Sequence, residues 1–213
     1  MSNIELKNAT YRYKVGGVSG VSFEVPEGKI ACLLGASGSG KTTLLKLMAG
    51  FLEPQSGQIL IGGKAIAGEG ASFVVPQERK IGLVFQQHAL FPHLTVAKNI
   101  LFGCTRESKE EKQQLLKKLL QDFRIEQHEN RYPHQISGGE QQRVAIARAI
   151  ASDPKVLLMD EPFSSLDKAL REQVQQQCLE VIRARNLTTV MVTHDEDSAK
   201  VMGDVIIRLQ STR

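Results

Sequence analysis

Short, continuously apolar runs alternate along the chain with stretches whose apolar residues recur at helical spacing. Strands buried on both faces of a parallel sheet have such uninterrupted runs, whereas a helix packed on the sheet shows one apolar stripe. Strands that alternate with helices in this way predict an α/β fold with a mainly parallel core sheet. The predicted core strands are KIACLLG (29–35), KIGLVFQQ (80–87), KVLLMD (155–160), TTVMVTH (188–194) and VIIRL (205–209), and the helices between them include 42–51, 168–185 and 195–202.

Additional strands are predicted in the first third of the chain. IELKNATYRYK (4–14) alternates loosely between apolar and polar residues, and VSFEV (21–25) precedes the turn PEGK. QILIGG (58–63) follows the helix 42–51. The C-terminal cap of that helix is predicted at Gly50, because glycine readily adopts the left-handed backbone found at such ends.

The middle of the chain changes to helices. Ser108 followed by Glu111 is a capping-box pattern, and an apolar stripe continues from it at helical spacing. Ser137 begins a second helix, which the Asp-Pro pair at 153–154 ends, because proline disfavours helical backbone in the residue before it. Two consecutive helices with no strand between them predict a helical lobe at about residues 88–152. The stripe comprises Leu115, Leu116, Leu119, Leu120 and Phe123.

Composition is that of an ordinary globular protein. Hydrophobic residues make up 41% and charged residues 23%, and the formal net charge is +4. A charge this small permits a nucleic-acid or lipid partner without arguing for one. No apolar run approaches the roughly 20 residues of a membrane helix, and the N-terminus lacks the apolar core of a signal peptide. We therefore expect a protein that is made in the cytoplasm and is held at a membrane only through partners.

A glycine-rich loop between the first predicted core strand and its helix has the composition of a phosphate-binding site. GASGSGKTT (35–43) fits the pattern G-x-x-x-x-G-K-[ST]. Several backbone N–H groups must point at one phosphate group, and glycine lets the chain wrap that closely. The helix N-terminus adds its dipole. Lys41 is expected to reach the β- and γ-phosphates, and the Thr42 hydroxyl to bind magnesium.

Two adjacent acidic residues end a later core strand. VLLMDE places Asp160 at the carboxyl end of that strand, beside the phosphate loop if the sheet is parallel. A carboxylate there is suited to hold magnesium, directly or through water. Glu161 is one residue further and is placed to polarise a water molecule against the γ-phosphate. Together with residues 35–43, this pair predicts a site that hydrolyses a nucleotide.

A third motif, ISGGEQQR (136–143), opens a helix with a serine and two glycines, which together make an anion site. With this motif the chain resembles, over essentially its whole length, the ATP-binding subunits of ATP-binding-cassette (ABC) transporters. GASGSGKTT is similar to the Walker A motif of that family, VLLMDE to Walker B, and ISGGEQQR to the signature motif. SSLD (164–167) resembles the D-loop, Gln86 the Q-loop glutamine, His194 the switch histidine, and Tyr13 the aromatic residue that stacks on adenine.

The resemblance implies that ATP and Mg²⁺ are bound between two copies of the chain arranged head to tail. It assigns catalytic roles to Glu161, to His194, which would contact the γ-phosphate, and to Gln86, which would connect magnesium and the attacking water to the helical lobe. Thr42, Gln86 and Asp160 would bind the metal. The implied nucleotide-binding residues are Tyr13, Gly35, Ala36, Ser37, Gly38, Ser39, Gly40, Lys41, Thr42, Thr43, Ser137, Gly138, Gly139, Glu140 and Asp167, with Ser137, Gly138 and Gly139 supplied by the second copy.

Glu140 departs from the family pattern, which has glutamine at this position of the signature motif. A carboxylate that faced a γ-phosphate would be repelled. Ser137 and Glu140 have the spacing of a capping box, in which the acidic residue returns to the backbone N–H of the serine. We therefore expect Glu140 to cap its helix or to point outward.

The segment QERKIGLVFQQHALFPHLTVAKNILFG (77–103) resembles importers more than exporters. Similar bacterial ATPases import ferric iron, polyamines, sulfate, thiamine or maltose, and the stretch 63–82 is most similar to the ferric-iron type. The resemblance implies that membrane-spanning permease subunits dock near Gln86–Leu94. Leu90, Phe91 and Leu94 would line the docking groove, although at least one of them is expected to belong to the core.

We expect a single ABC ATPase domain over residues 1–213, with an N-terminal antiparallel β subdomain and no C-terminal regulatory domain. It would be a peripheral subunit at the cytoplasmic face of the inner membrane, linked only indirectly to a solute-binding protein and not to nucleic acid. The alternatives are a thiamine, polyamine or other small-solute importer, a non-transport ABC ATPase acting on ribosomes or DNA, and a cassette that binds without hydrolysing. One cassette without a coiled coil disfavours the second, and intact Lys41, Asp160, Glu161 and His194 disfavour the third.

Overall fold

The computed structural model describes residues 2–87, 89–106 and 108–209. Within these ranges the chain forms two β-sheets and six α-helices. The strands are β1 (Ile4–Arg12), β2 (Gly17–Val25), β3 (Ile30–Leu34), β4 (Ser56–Ile61), β5 (Lys64–Gly68), β6 (Ile81–Val84), β7 (Val156–Asp160), β8 (Thr188–Thr193) and β9 (Val205–Arg208). The helices are α1 (Lys41–Ala49), α2 (Val96–Leu101), α3 (Lys109–Asp122), α4 (Gly138–Ala151), α5 (Lys168–Ala184) and α6 (Glu196–Met202).

A five-stranded sheet of order β6-β7-β8-β3-β9 lies at the centre of the fold, and all its strand pairs are parallel. Successive residues of β3 belong to two different apolar clusters: Ile30, Cys32 and Leu34 to one, Ala31 and Leu33 to the other. This alternation follows from the pleat, which points neighbouring side chains to opposite faces. The sheet is therefore covered on both faces, and the predicted α/β fold is confirmed.

The other sheet is antiparallel, has the order β2-β1-β4-β5 and confirms the expected N-terminal β subdomain. Its last strand was not predicted. β4 ends at Ile61, and Gly62 and Gly63, with φ of 60° and 75°, turn the chain into β5. Two-residue hairpin turns of this kind need positive φ at both positions, which glycine adopts without strain. The Gly-Gly pair is thus the local signal of a hairpin that apolar periodicity did not reveal.

Helices α2, α3 and α4 follow the strand β6 and place a helical region in the middle of the chain. The two predicted helices form as α3 and α4, but α2 was not predicted, because its six residues bury only one apolar pair a turn apart, Val96 and Ile100. Thr95 caps α2 by accepting a hydrogen bond from the Lys98 N–H. Buried Asn99 donates to the carbonyls of Phe91 and Leu94. The Thr95 cap fixes where this helix begins, while Val96 and Ile100 anchor it in the core.

Several predicted helix ends form as expected. Ser108 accepts the Glu111 N–H at 3.1 Å and begins α3. Gly50 has φ 85° and donates to the Leu47 carbonyl, which ends α1. In the described ranges, no helix is both long enough and apolar enough to cross a bilayer.

Candidate functional site

The glycine-rich loop connects β3 to the first turn of α1 at the carboxyl edge of the parallel sheet. Gly40 has φ 89°, and a Cβ atom there would lie 2.2 Å from Val18 Cγ1, so this position requires glycine for both its backbone and its space. Lys41 is buried, and its Nζ donates to two loop carbonyls at 2.6 and 2.9 Å. The loop therefore wraps around its own ammonium group, next to the N-terminus of a helix.

Asp160, the last residue of β7, accepts a hydrogen bond from the Thr42 side chain. Burial raises the pKa of Asp160 and so does its neighbour Glu161, while the Thr42 hydrogen bond and the charge of Lys41 oppose them. A carboxylate beside a hydroxyl offers the hard oxygen ligands that Mg²⁺ prefers. In the described part of the chain, no group of three or more His, Cys, Asp or Glu side chains is placed to hold a metal ion. The donors present therefore fit an ion that completes its shell with water and phosphate oxygens.

Glu161 and His194 contact each other above this edge of the sheet, with 3.1 Å between Glu161 Oε2 and His194 Nδ1. His194 directly follows β8, and its side chain is exposed. The backbone of Glu161 has φ 44°, a left-handed value, while its N–H donates to the Val192 carbonyl. Non-glycine residues rarely adopt this conformation, and such strain concentrates at functional positions. The arrangement aims a carboxylate and an imidazole into the space above the phosphate loop.

One open cleft of about 900 Å³ unites these groups. Tyr13 lies at its rim, 43% exposed, with its ring edge-on to Tyr11 at 5.0 Å between centroids. The turn Val15–Gly17 also lines the cleft, although no sequence motif marked it. Gly35 and Ser39 pack against each other, since a Cβ atom on the glycine would lie 2.5 Å from the serine Oγ. The predicted residues that line the cleft are Tyr13, Ser37, Gly38, Gly40, Lys41, Thr42, Thr43, Gln86, Glu161 and His194.

The serine and glycines of the third motif lie elsewhere. Ser137 caps α4, and both Ser137 and Gly138 are exposed. Gly139 packs against Leu170 so closely that an added Cβ atom would meet its side chain at 2.8 Å. Asp167 caps α5 through its Oδ1, which accepts the Leu170 N–H at 3.1 Å. Within the described residues none of these lines the cleft, so the chain presents a second, separate helix N-terminus to its surroundings.

Glu140 forms the expected capping box, with its Oε2 accepting the Ser137 N–H at 2.8 Å. Its Oε1 lies 2.8 Å from Nε2 of His128, a partner twelve residues earlier that no motif marks. Burial acts to raise the pKa of Glu140, but the hydrogen bonds from Ser137 and His128 outweigh it, so the pKa is lowered. The carboxylate is thus ionised and turned back onto its own helix.

Arg171 is a further residue that sequence reasoning missed. Its Nη1 donates to Asp195 Oδ2 and its Nη2 to the Leu166 carbonyl, each at 2.9 Å. Asp195 follows His194, and Leu166 precedes Asp167, so one planar guanidinium joins two loops that carry predicted site residues. The sequence offered one indication of this role, because Arg171 lies one helical turn after Asp167 and so is close to the loop that contains Asp167.

Phe91 and Phe102 form an aromatic surface, and Phe85, which directly precedes Gln86 in the chain, is also exposed. Phe91 and Phe102 have 4.2 Å between their ring centroids, and Phe102 is 62% exposed. Leu90 packs against the core cluster instead, as expected for at least one member of this segment. The chain therefore exposes large apolar side chains at Phe102 and at Phe85, the residue before Gln86.

Comparisons with known proteins agree on one family. The family description "ABC transporter" matches residues 18–164. The chain is 43% identical over 203 residues to the spermidine/putrescine import ATP-binding protein PotA of Chromobacterium violaceum, covering 93% of this chain and 55% of the relative. It is 44% identical over 194 residues to the Fe(3+) ions import ATP-binding protein FbpC of Haemophilus influenzae, covering 89% and 54%. The chain thus spans about half the length of these curated relatives.

A solved structure is similar over nearly its whole length. It is the dimeric, post-hydrolysis state of the ATP-binding cassette MJ0796 bound to ADP and Pi. The TM-score is 0.81 at 34% sequence identity, and the alignment covers 97% of this chain and 94% of that one.

Proposed function

The chain belongs to the ABC transporter family, and on that premise we propose that it is an ATP-binding and ATP-hydrolysing subunit that energises solute import. The observation that carries the proposal is the cleft, which is lined by Lys41, Thr42, Glu161 and His194. Asp160 accepts a hydrogen bond from the side chain of Thr42 in that lining. The support from relatives is that a similar cassette is described with ADP and Pi, and that similar curated proteins are named import ATP-binding proteins.

Hydrolysis in this proposal follows from the placement of charge. The ammonium of Lys41 and the loop N–H groups bind the phosphates, and Mg²⁺ held by Thr42 and Asp160 would neutralise charge on the β- and γ-phosphates. Glu161 polarises the attacking water. His194, in contact with Glu161, orients that carboxylate, and exposed Gln86 also lines the cleft.

A second copy of the chain would complete the site. The N-terminus of α4 presents the exposed Ser137 hydroxyl and the backbone N–H of exposed Gly138, which suit an anion that this chain's own cleft does not bring to them. In a head-to-tail pair, that anion is the γ-phosphate of ATP bound to the partner. The dimeric form described for the similar cassette supports this arrangement.

Replacing Lys41 by alanine is expected to weaken ATP binding about 10- to 100-fold, because a charge-assisted contact to phosphate is lost. Isothermal titration of ATP with Mg²⁺ measures this directly. Lys109→Ala is the matched control, since Lys109 is also the first residue of a helix but is exposed. Equal affinity of the Lys41→Ala variant and the unaltered chain would contradict the proposal.

We further propose that the aromatic surface docks a short helix of a membrane-spanning subunit, which would hold the chain at the cytoplasmic face of the membrane. Exposed Phe102 and exposed Phe85, the residue before Gln86, support this, because movement of Gln86 towards the nucleotide would then reach the membrane subunit. A solute-binding protein on the opposite side of the membrane would be contacted only through that subunit.

Replacing Phe102 by aspartate is expected to reduce recovery of membrane subunits with the tagged chain at least tenfold, because a charge is placed in an apolar contact. ATP hydrolysis by the isolated chain is expected to stay within about twofold, since Phe102 lies outside the cleft lining. Val201→Asp alters another exposed apolar residue, on α6, and serves as the control. Equal losses in both variants would place the docking surface elsewhere.

Ferric iron is the solute we propose first, on the similarity of residues 63–82 to ferric-iron ATPases, with polyamines and thiamine as alternatives. The similar relatives include both polyamine and Fe(3+) import proteins at nearly equal identity. In this proposal the membrane and solute-binding subunits, rather than this chain, select the transported solute. Uptake of labelled ferric iron and putrescine by cells that lack this chain tests it. Loss of putrescine uptake alone would overturn the iron assignment.

A further inference from the structure

His128 is a buried histidine outside every predicted motif. It ends a short 3-10 turn after α3 and is only 6% exposed. Its Nε2 lies 2.8 Å from Glu140 Oε1, while Glu140 Oε2 accepts the Ser137 N–H, also at 2.8 Å. The carboxylate of Glu140 is therefore held at both oxygens, once by its own helix and once by another segment of the chain.

The chemistry of the pair fixes its direction. An ionised carboxylate can only accept, so Nε2 of His128 carries the hydrogen. Nδ1 of His128 has no hydrogen-bond partner among the described residues. The side-chain amide of Gln127 is the other polar group near Nε2, at 3.2 Å. Burying a polar ring with one unpartnered nitrogen is unfavourable for stability, whereas the other nitrogen contacts Glu140.

We propose that His128 is a positioning residue that keeps the Glu140 carboxylate turned away from the nucleotide held by a second copy of the chain. This inference rests on the proposed function, in which Ser137 and Gly138 contact the partner's γ-phosphate. Glu140 is at the third position of the same helix, within the first turn. Released from His128, its carboxylate keeps only the Ser137 anchor and can rotate towards the phosphate, where the two negative charges repel.

A double-mutant cycle tests the proposal in the full chain, with ATP hydrolysis measured against ATP concentration. His128→Leu is expected to raise the KM for ATP about tenfold, within the range of coupling seen for contacting residues. Its kcat is expected to change less than about twofold, because the repulsion already acts in the bound ground state. In a Glu140→Gln background, His128→Leu is expected to change the KM by less than about twofold, because the repelling charge is gone.

Two conservative variants separate positioning from packing. Glutamine at 128 places an amide N–H close to the site of Nε2, whereas asparagine is one methylene shorter and reaches only the site of Nδ1. His128→Gln is therefore expected to retain the KM of the unaltered chain, and His128→Asn to behave like His128→Leu. Gln127→Ala removes the other neighbour of Nε2 and is expected to leave the KM within about twofold.

The outcomes are distinguishable. If the unaltered chain hydrolyses ATP, two results would overturn the inference and leave the proposed function standing. One is additive KM changes in the double-mutant cycle, and the other is equal KM values for His128→Gln and His128→Asn. A loss of thermal stability that tracks the KM in both backgrounds would assign His128 to packing and overturn it as well. An unaltered chain that does not hydrolyse ATP would overturn the proposed function and, with it, this inference.

Discussion

A Glu161→Gln variant is expected to hydrolyse ATP about 10²- to 10⁴-fold more slowly while still binding it, because general-base assistance is lost and the amide keeps the shape of the side chain. Unable to turn over, two copies with ATP between them would remain associated. The variant should therefore elute as a dimer with ATP and Mg²⁺ and as a monomer with ADP. Phosphate release and light scattering after size exclusion measure the two effects.

The matched control for this variant is Glu172→Gln. Glu172 is an exposed glutamate on α5 and lies outside the cleft lining, so its neutralisation should change neither hydrolysis nor association. A Glu161→Gln chain that stays monomeric at saturating ATP and Mg²⁺ would contradict the two-copy site. Unchanged hydrolysis would remove Glu161 from the proposed chemistry.

A Gly138→Asp variant is expected to fold, to bind ATP in its own cleft and to lose at least about a hundredfold in hydrolysis. An added Cβ atom at Gly138 meets nothing within 4 Å, and an acid in the first turn of α4 interacts favourably with the helix dipole. The carboxylate introduced at position 138 would occupy the anion site that, in the proposed pair, binds the phosphate held by the partner. Activity should therefore fall while the thermal midpoint stays the same or rises.

Two neighbouring substitutions separate charge from size and from packing. Gly138→Asn has nearly the same volume without the charge, so its loss of hydrolysis should be about tenfold smaller. Gly139→Ala instead probes packing without adding charge, because its Cβ atom would meet the Leu170 side chain at 2.8 Å and displace it. Full activity in Gly138→Asp would show that this helix N-terminus takes no part in hydrolysis.

The parts of the site that sequence could predict are those in which local chemistry dictates the residue type. The phosphate loop needs glycine at Gly40 for its backbone, and the carboxyl edge of a parallel sheet places Asp160 beside Thr42. The capping box of Glu140 likewise follows from a spacing of three residues along one helix. Each of these can be reasoned out within one short segment.

The parts that could not be predicted depend on contacts between distant segments. His128 reaches Glu140 only because the turn after α3 packs on α4, and Arg171 reaches Asp195 only because α5 lies beside α6. A single histidine or arginine carries no pattern that marks such a partner. Helix α2 was missed for a different reason, since its six residues bury only Val96 and Ile100, a repeat too short to indicate a helix.

At Glu161, backbone strain favours glycine whereas the proposed chemistry requires a carboxylate. A glutamate with φ 44° is strained by roughly 1–3 kcal/mol, which glycine would relieve. Lineages selected only for a durable fold would therefore drift towards glycine here, whereas lineages that depend on ATP turnover must retain the acid. Across related genes, the residue at this position should thus distinguish cassettes that hydrolyse ATP from cassettes that keep only the fold.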